Sequence, residues 1–518
     1  MTETALSRKK IQNGWAMYDW ANSVYNLVIG STIFPIFYDV MTSVKNSDGV
    51  VTSTKVKVFG STLENTELIS YATAFGLTIV CLVLPILSGV ADYYGKKKFF
   101  LKFFCYLGSL SCMSLYFFDP ANMELSILSV ILACIGFWGS YAFSNSFLPI
   151  VATEDEQDKL SAKGFSLGYL GSMILLICAL VAVMVIAKSG PEKVMMMRYS
   201  FIAVGVWWMG FAQITFSRLK ETERVHAEKT NVFTKGFSEL GSVLKQLKHL
   251  PQLKAYLLAF FTFSMGIQTI MQMATYFGKK EVKLETLNLI VAIILVQIIA
   301  IPGAYLFSKL SNRIGNFSVL KIALALWMFI CFFAFFFVQE GQVMMFYIVA
   351  GLIGFIMGGT QSLARSTYSK LIPGTKDTAS FFSFYDVTEK VGLIIGLISF
   401  GFIEGKFSMR YSILALIVFF VIGFVLMFFI PKNKKNSVSI KNRIGGEFIQ
   451  KNLKIGDWLL NYLLASIPLI GLIFMIVWCF DKENHIRRVW AKATLIWAGI
   501  MTFLSLIIGL FIAKQFLL

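Results

Sequence analysis

Three small groups of polar residues interrupt otherwise apolar sequence, and chemistry would sit there. Asp386, Glu389 and Lys390 follow Tyr385 within one apolar block. Asp386 and Lys390 stand four apart, so on a helix they share a face and can pair. Such a cluster binds a zwitterionic solute or couples protons, or it is a salt bridge that closes a gate or fixes packing. The cost of charge in hydrocarbon favours the functional side. Asp19, Asn22 and Asn26 stand at i, i+3 and i+7 and share another helix face. Asp19 is either a proton or cation site or a tether near one helix end, and the Asn pair lines a cavity or bonds neighbouring helices. Gln268 and Gln272 form a third i, i+4 pair, and Gln361 lies just before Arg365. These amides can hydrogen-bond a polar solute or only adjacent helices.

Other chemistries lack their residues. No GxxxxGK[ST] phosphate loop occurs, since the run from Gly89 to Gly95 has the wrong spacing and ends in Lys. HExxH and GxSxG are also missing. The seven Cys fall almost entirely inside apolar blocks without a CxxC pair, as small hydrophobes do. His226, His249 and His485 lie in polar connections. The sequence therefore points away from an enzyme, a metal site, a cofactor and an ATP drive. A solute gradient or an ion gradient would supply the energy.

The elements that position these groups are membrane spans. Of 518 residues, 57% are hydrophobic and 15% charged, against about 25% charged in a soluble domain. The apolar blocks are near the 20 residues that cross hydrocarbon as a helix. Fourteen spans are expected, at 15–40, 67–90, 99–118, 125–148, 164–187, 198–217, 255–277, 286–308, 317–338, 342–364, 381–403, 411–430, 456–480 and 489–513. The net charge of +18 concentrates in short connections, the pattern of cytoplasmic loops facing anionic lipid rather than of a nucleic-acid surface. This places the N-terminus inside a multi-pass protein of, by expectation, a bacterial cytoplasmic membrane. Arg8-Lys9-Lys10 precedes an apolar block that Asp19 and the Asn residues interrupt, which reads as an uncleaved first helix rather than a signal peptide. Arg487 and Arg488 fall on the other side and leave the last pair of spans less clearly oriented. Trp15, Trp20, Trp458 and Trp490 stand near span ends, as interfacial anchors do. Within the longest connection, Phe233, Phe237, Leu240, Leu244 and Leu247 repeat at helical steps, and Lys235, Lys245 and Lys248 lie elsewhere around the helix. This reads as an interfacial amphipathic helix, with a calmodulin-type target the sharper alternative. The polar stretch 41–66 reads as a short outer hairpin turning at Asp48-Gly49.

An internal repeat organises the spans. Gly89-Val90-Ala91-Asp92-Tyr93-Tyr94-Gly95-Lys96-Lys97-Lys98 follows the second span, and Ser308-Lys309-Leu310-Ser311-Asn312-Arg313-Ile314-Gly315 follows the eighth, about 220 residues later. Ser161-Ala162-Lys163-Gly164-Phe165 and Ser380-Phe381-Phe382-Ser383-Phe384 show the same offset. Two matches at one offset indicate duplicated six-helix halves. The expected organisation is a half at 1–218, a cytoplasmic linker at 219–254, a second half at 255–431 and an appended two-helix membrane segment at 432–518. Two such halves can rock about a site between them.

Several runs carry a family resemblance. The Gly89…Asp92…Gly95-Lys96 loop resembles the signature between helices two and three of the major facilitator superfamily. Gly14-Trp15-Ala16-Met17-Tyr18-Asp19-Trp20-Ala21-Asn22-Ser23, Ser161-Ala162-Lys163-Gly164 with Gly168-Tyr169-Leu170-Gly171-Ser172, and Gly359-Thr360-Gln361-Ser362-Leu363-Ala364-Arg365-Ser366 resemble the vacuole-effluxer-like, or unknown major facilitator, family. The resemblance spans about residues 11–430. It implies an all-α, twelve-helix secondary transporter, and it links fungal members to amino-acid export from the vacuole. It also implies a mechanical role for Gly89, Asp92, Gly95 and Lys96, with Asp92 capping or pairing against a neighbouring helix end and Arg365 doing similar work in the second half. Lys97 and Lys98 are expected to be topology anchors. The expected function is alternating-access transport of a small polar or zwitterionic solute, proton-coupled through Asp19, Asp386 or Glu389. An uncoupled facilitator or channel and a membrane-embedded enzyme or lipid-handling protein are the alternatives.

Overall fold

The computed structural model describes residues 3–45, 51–221 and 241–431, together with 491 and 494. The two spans expected at 456–480 and 489–513, and Phe233, Phe237 and Leu240 of the amphipathic stretch, lie outside the described residues. The chain separates into one unit at 1–431 and another at 432–518, and the first is described here.

Among the described residues, thirteen helices of ten residues or more build it: α1 Glu3–Val24, α2 Ile33–Thr42, α3 Asn65–Tyr94, α4 Lys97–Ser114, α5 Met123–Asn145, α6 Glu154–Val181, α7 Gly190–Arg218, α8 Pro251–Lys280, α9 Thr286–Ile314, α10 Asn316–Phe337, α11 Val343–Leu371, α12 Thr378–Lys406 and α13 Met409–Leu426. A π-helical turn at Tyr25–Gly30 joins α1 to α2 in a single span. Among the described residues, 11 segments are long and apolar enough to cross a membrane. The remaining long helix, α12, carries Asp386, Glu389 and Lys390 within its length. Twelve spans thus stand where the apolar blocks place them. Several run on past those blocks because polar end residues continue the helix. In α6, for example, the Thr153–Glu156 capping box starts the helix ten residues before the apolar run.

Two large apolar cores form among the described residues. One gathers buried residues from Trp15 to Leu219 with Ile290 and Ala379, and the other gathers Val243 to Ile430 with Tyr169. Helix α6 packs on α9 and α11, and α3 on α12, so these three contacts join the two bundles. Gly95 and Gly315 end α3 and α9 with φ of 68° and 84°. These left-handed corners favour glycine and sit at equivalent points of the repeat.

Residues 44–64 form two antiparallel hairpins rather than one. Val44–Lys45 pairs with Val51–Ser53, and Lys55–Val58 with Ser61–Glu64. The second turns at Phe59-Gly60, both with positive φ. Asp48-Gly49 lies outside the described residues. In the linker, residues 241–248 are helical, with Val243 buried against the second core and Leu244 exposed. Trp15 is not an interfacial anchor. It is 1% exposed, and its indole N–H donates to the Ser144 carbonyl at 2.8 Å. Trp20 stacks on Trp207.

Candidate functional site

A cavity of about 150 Å³ lies between the bundles. Asn22 and Asn26 reach it from the first bundle, and Gln268, Gln272, Gln361, Glu389 and Lys390 from the second. Four spans bring these residues together. Trp138, Tyr141, Tyr169 and Gln297 complete the polar and aromatic wall. Each pairs an apolar body with a polar tip or is a lone amide, so none stands out in sequence.

The charge centre of the cavity is Lys390. Its ammonium is paired with Glu389 and lies over the Trp138 ring, 3.4 Å from the centroid. Gln268 donates to the other Glu389 oxygen at 2.8 Å. Tyr169 donates to Gln361 at 2.9 Å, tying the bundles across the cavity floor. The expected Asp386–Lys390 pair does not form. Asp386 is 3% exposed, and neither carboxyl oxygen has a hydrogen-bond partner among the described residues. The amide nitrogen of Asn22, 1% exposed, is likewise unpartnered there. Lys390 pairs with its neighbour where the Gln268 amide donates to Glu389 and the Trp138 face holds the ammonium.

Asp19 does not line the cavity with the Asn pair. One turn lower, it receives Arg365 Nη2 at 2.9 Å and Nη1 at 3.4 Å. The guanidinium also donates to Asn145 at 3.2 Å and to the hydroxyl and carbonyl of Ser161, both at 3.0 Å. It lies over the rings of Trp15 and Phe165. A planar fork with five donors suits such a cage, and lysine would not. Gly164 makes the pair possible: a Cβ there would sit 2.2 Å from Asp19 Oδ2 and 2.9 Å from Arg365 Nη2. Arg365 therefore joins α1, α6 and α11 from inside and does not cap a loop as Asp92 does. Phe165 lines the cavity on one side and covers the guanidinium on the other.

Below this pair lie two latches related by the repeat. Asp92, fully buried, accepts from the backbone N–H groups of Ala379 at 3.2 Å and Ser380 at 2.6 Å, at the start of α12. A carboxylate at a helix N-terminus is stabilised by the dipole there. Lys97 is no lipid anchor. It is buried, pairs with Asp92 at 3.0 Å, and donates to the Lys376 carbonyl and Thr378 hydroxyl, both at 2.6 Å. Gly89 is buried in the last turns of α3, and Lys96 is exposed. In the second latch, Asp158 of α6 accepts from Ser311 at 2.8 Å, Asn316 at 2.8 Å and Lys370 at 2.6 Å. Asp158 was not singled out by the sequence. An acid near the start of a helix is ordinary, and only its place in the repeat sets it apart.

A model of the family described as Vacuole effluxer Atg22 like matches residues 7–438. The chain is 31% identical over 438 residues to the uncharacterized MFS-type transporter YxiO of Bacillus subtilis (strain 168), covering 83% of this chain and 97% of that one. It is 26% identical over 453 residues to autophagy-related protein 22 of Eremothecium gossypii, covering 79% and 88%. Among solved structures, it resembles the E. coli fucose:proton symporter FucP, with a TM-score of 0.58 at 16% identity over 83% of this chain and 99% of that chain. It also resembles the proton:xylose symporter XylE, with a TM-score of 0.60 at 13% identity over 82% and 96%. At these identities the two structures speak for the fold, a helical bundle of 6+6 layout. The chain is a multi-pass integral membrane transporter of the major facilitator type, and it belongs to the vacuole effluxer Atg22-like family.

Proposed function

We propose that this chain is a secondary transporter that carries a small zwitterionic solute, an amino acid in the first instance, and couples it to protons. The observation that carries this reading is the opposed pair Glu389 and Lys390 at the wall of a cavity lined from both bundles. A solute with an ammonium and a carboxylate can take one partner each from that pair, replacing one ion pair with two. The amides of Asn22, Asn26, Gln268, Gln272 and Gln361 would fix its orientation.

In this reading residues 1–218 and 255–431 rock against each other, 219–254 links them, and 432–518 is an appended membrane segment. The latches close the end that faces the cytoplasm of a bacterial cell, where the Lys and Arg residues concentrate. Opening it requires Asp92, Asp158 and the Asp19–Arg365 pair to release their partners. Asp386 is the proton carrier. A carboxyl group in a membrane span without hydrogen-bond partners is costly when charged. Facing it are Lys390 and Glu389 of its own helix, Arg365 and Tyr368 of α11, Cys81 of α3 and Tyr141 of α5. When Asp386 loses its proton, Lys390 one turn away can swing to it and free Glu389.

The test begins with thermal shifts of the purified full-length protein against amino acids and their methyl esters and amides. Free zwitterions are expected to raise Tm, and the blocked forms are not. Uptake into proteoliposomes under an imposed proton gradient follows. Wild type is expected to accumulate solute, and Asp386→Asn is expected to exchange solute without accumulating it. Equal shifts with esters would contradict the zwitterion reading. Gradient-driven accumulation by Asp386→Asn would contradict the proton role, and gradient-independent uptake by wild type would identify an uncoupled facilitator.

A further inference from the structure

We propose that the transported solute carries an extended apolar arm, and that this arm enters a second chamber inside the α8–α13 bundle. The chamber has a volume of about 130 Å³, nearly that of the polar cavity. Close-packed cores leave few voids larger than a water molecule, and this volume, walled mostly by the second bundle and rimmed by Asn26, Leu27 and Ser31 of the first, is far larger than one. It is held open by Ala292, Ala334 and Ala350, small residues on three different helices. Its deeper wall is apolar, with Ile270, Phe277 and Leu416 among the buried side chains.

The chamber is not separate from the polar cavity. Asn26, Leu27, Ser31, Met271 and Gln297 line both. The polar members of this rim face a head group at Lys390, and beyond Met271 the wall becomes hydrocarbon. Binding sites with a few placed polar groups and a larger apolar wall take ligands with the same division. An acyl chain from the bilayer would meet the same apolar wall, but it would have to bring its head group past the polar rim. The continuity with the Glu389–Lys390 pair favours the solute. The head group follows the zwitterion reading given above, and the arm does not depend on it.

The experiment uses the full-length protein in lipid nanodiscs and three probe series: unbranched α-amino acids with side chains of one, four and six carbons, and n-alkylamines and n-alkylcarboxylates of matching length. Affinity is expected to rise about three- to fourfold per methylene, the increment for burying one CH₂. Ala334→Phe is expected to remove the gain beyond the shortest chain. Ile353→Ala, which widens the chamber, is expected to move the optimum to longer chains, so the test stands even if the first variant does not fold. A slope in the amine or carboxylate series that the variants alter, with no amino acid bound, would reject the zwitterion and keep the chamber. A flat response in all three series, or a slope that neither variant changes, would overturn the proposal. So would phospholipid retained by wild type and lost by Ala334→Phe in native mass spectrometry with no slope in any series, which would assign the chamber to an acyl chain.

Discussion

Arg365→Ala is expected to abolish net transport and to lower the amount of folded protein. The substitution removes five donor contacts at once and strands Asp19 at 4% exposure beneath the cavity. Breaking a buried pair by removing one partner costs about 3–5 kcal/mol. At about 1.4 kcal/mol per decade this is a shift of about 100-fold or more in any equilibrium that the pair biases. Because α1, α6 and α11 lose their common link, the end held by Asp92 and Asp158 should open. A cysteine placed at buried Ser380 should then react with a water-soluble maleimide. Arg365→Lys should fail almost as badly, since an ammonium cannot reach Asp19, Asn145 and Ser161 together. Asp19→Asn with Arg365→Gln removes both charges and should restore thermal stability without restoring transport. Full uptake by Arg365→Ala at wild-type expression would show that the pair is neither a gate nor a support.

Lys390→Gln is expected to have the second largest effect. Glu389 and Asp386 would then share one helical turn of a membrane span without the cation that pairs with Glu389. Truncating one member of a buried, hydrogen-bonded charge pair costs about 2–5 kcal/mol, much of it from the charge left behind. Solute affinity should fall about 30-fold or more. Glu389→Gln in the same chain should recover expression and leave binding lost, because neither solute charge would have a partner. Binding retained by Lys390→Gln, read as an unchanged thermal shift, would remove the ion pair from the site.

Much of this arrangement was legible in the residues, for a simple reason. A polar side chain inside an apolar block cannot be explained by solvent, so Asn22, Asn26, Gln268, Gln272, Gln361 and the α12 charges stood out, and all but Asp386 reach the cavity. Span positions followed from the length of hydrocarbon to be crossed. Near helix ends the same logic fails. Lys97, Asp158 and Trp15 occupy places where charge and indole rings are usual at a membrane surface, so sequence alone reads Lys97 and Trp15 as anchors and passes over Asp158. Only the packing of the two bundles buries them and turns them into links. The pairing of Lys390 was misread on similar grounds. A four-residue spacing makes the Asp386 contact available, but the indole face of Trp138 and the amide of Gln268 come from other helices and decide for Glu389. Likewise, the π-helical turn at Tyr25–Gly30 follows Asn22 without a signal in the sequence, and Asp19 falls below the cavity instead of completing its stripe.

The rocking of two bundles is tested most directly by spin-label distances at both ends of the same molecule. One pair replaces exposed Lys159 and Lys309 beside the Asp158 latch, and the other replaces exposed Ser70 and Lys279 at the opposite end. In proteoliposomes that transport, each pair should give two distance populations. Conditions that lengthen the first pair should shorten the second, and Arg365→Ala should favour the long distance at the first. Fixed distances at both ends during active transport, or both ends widening together, would contradict alternating access.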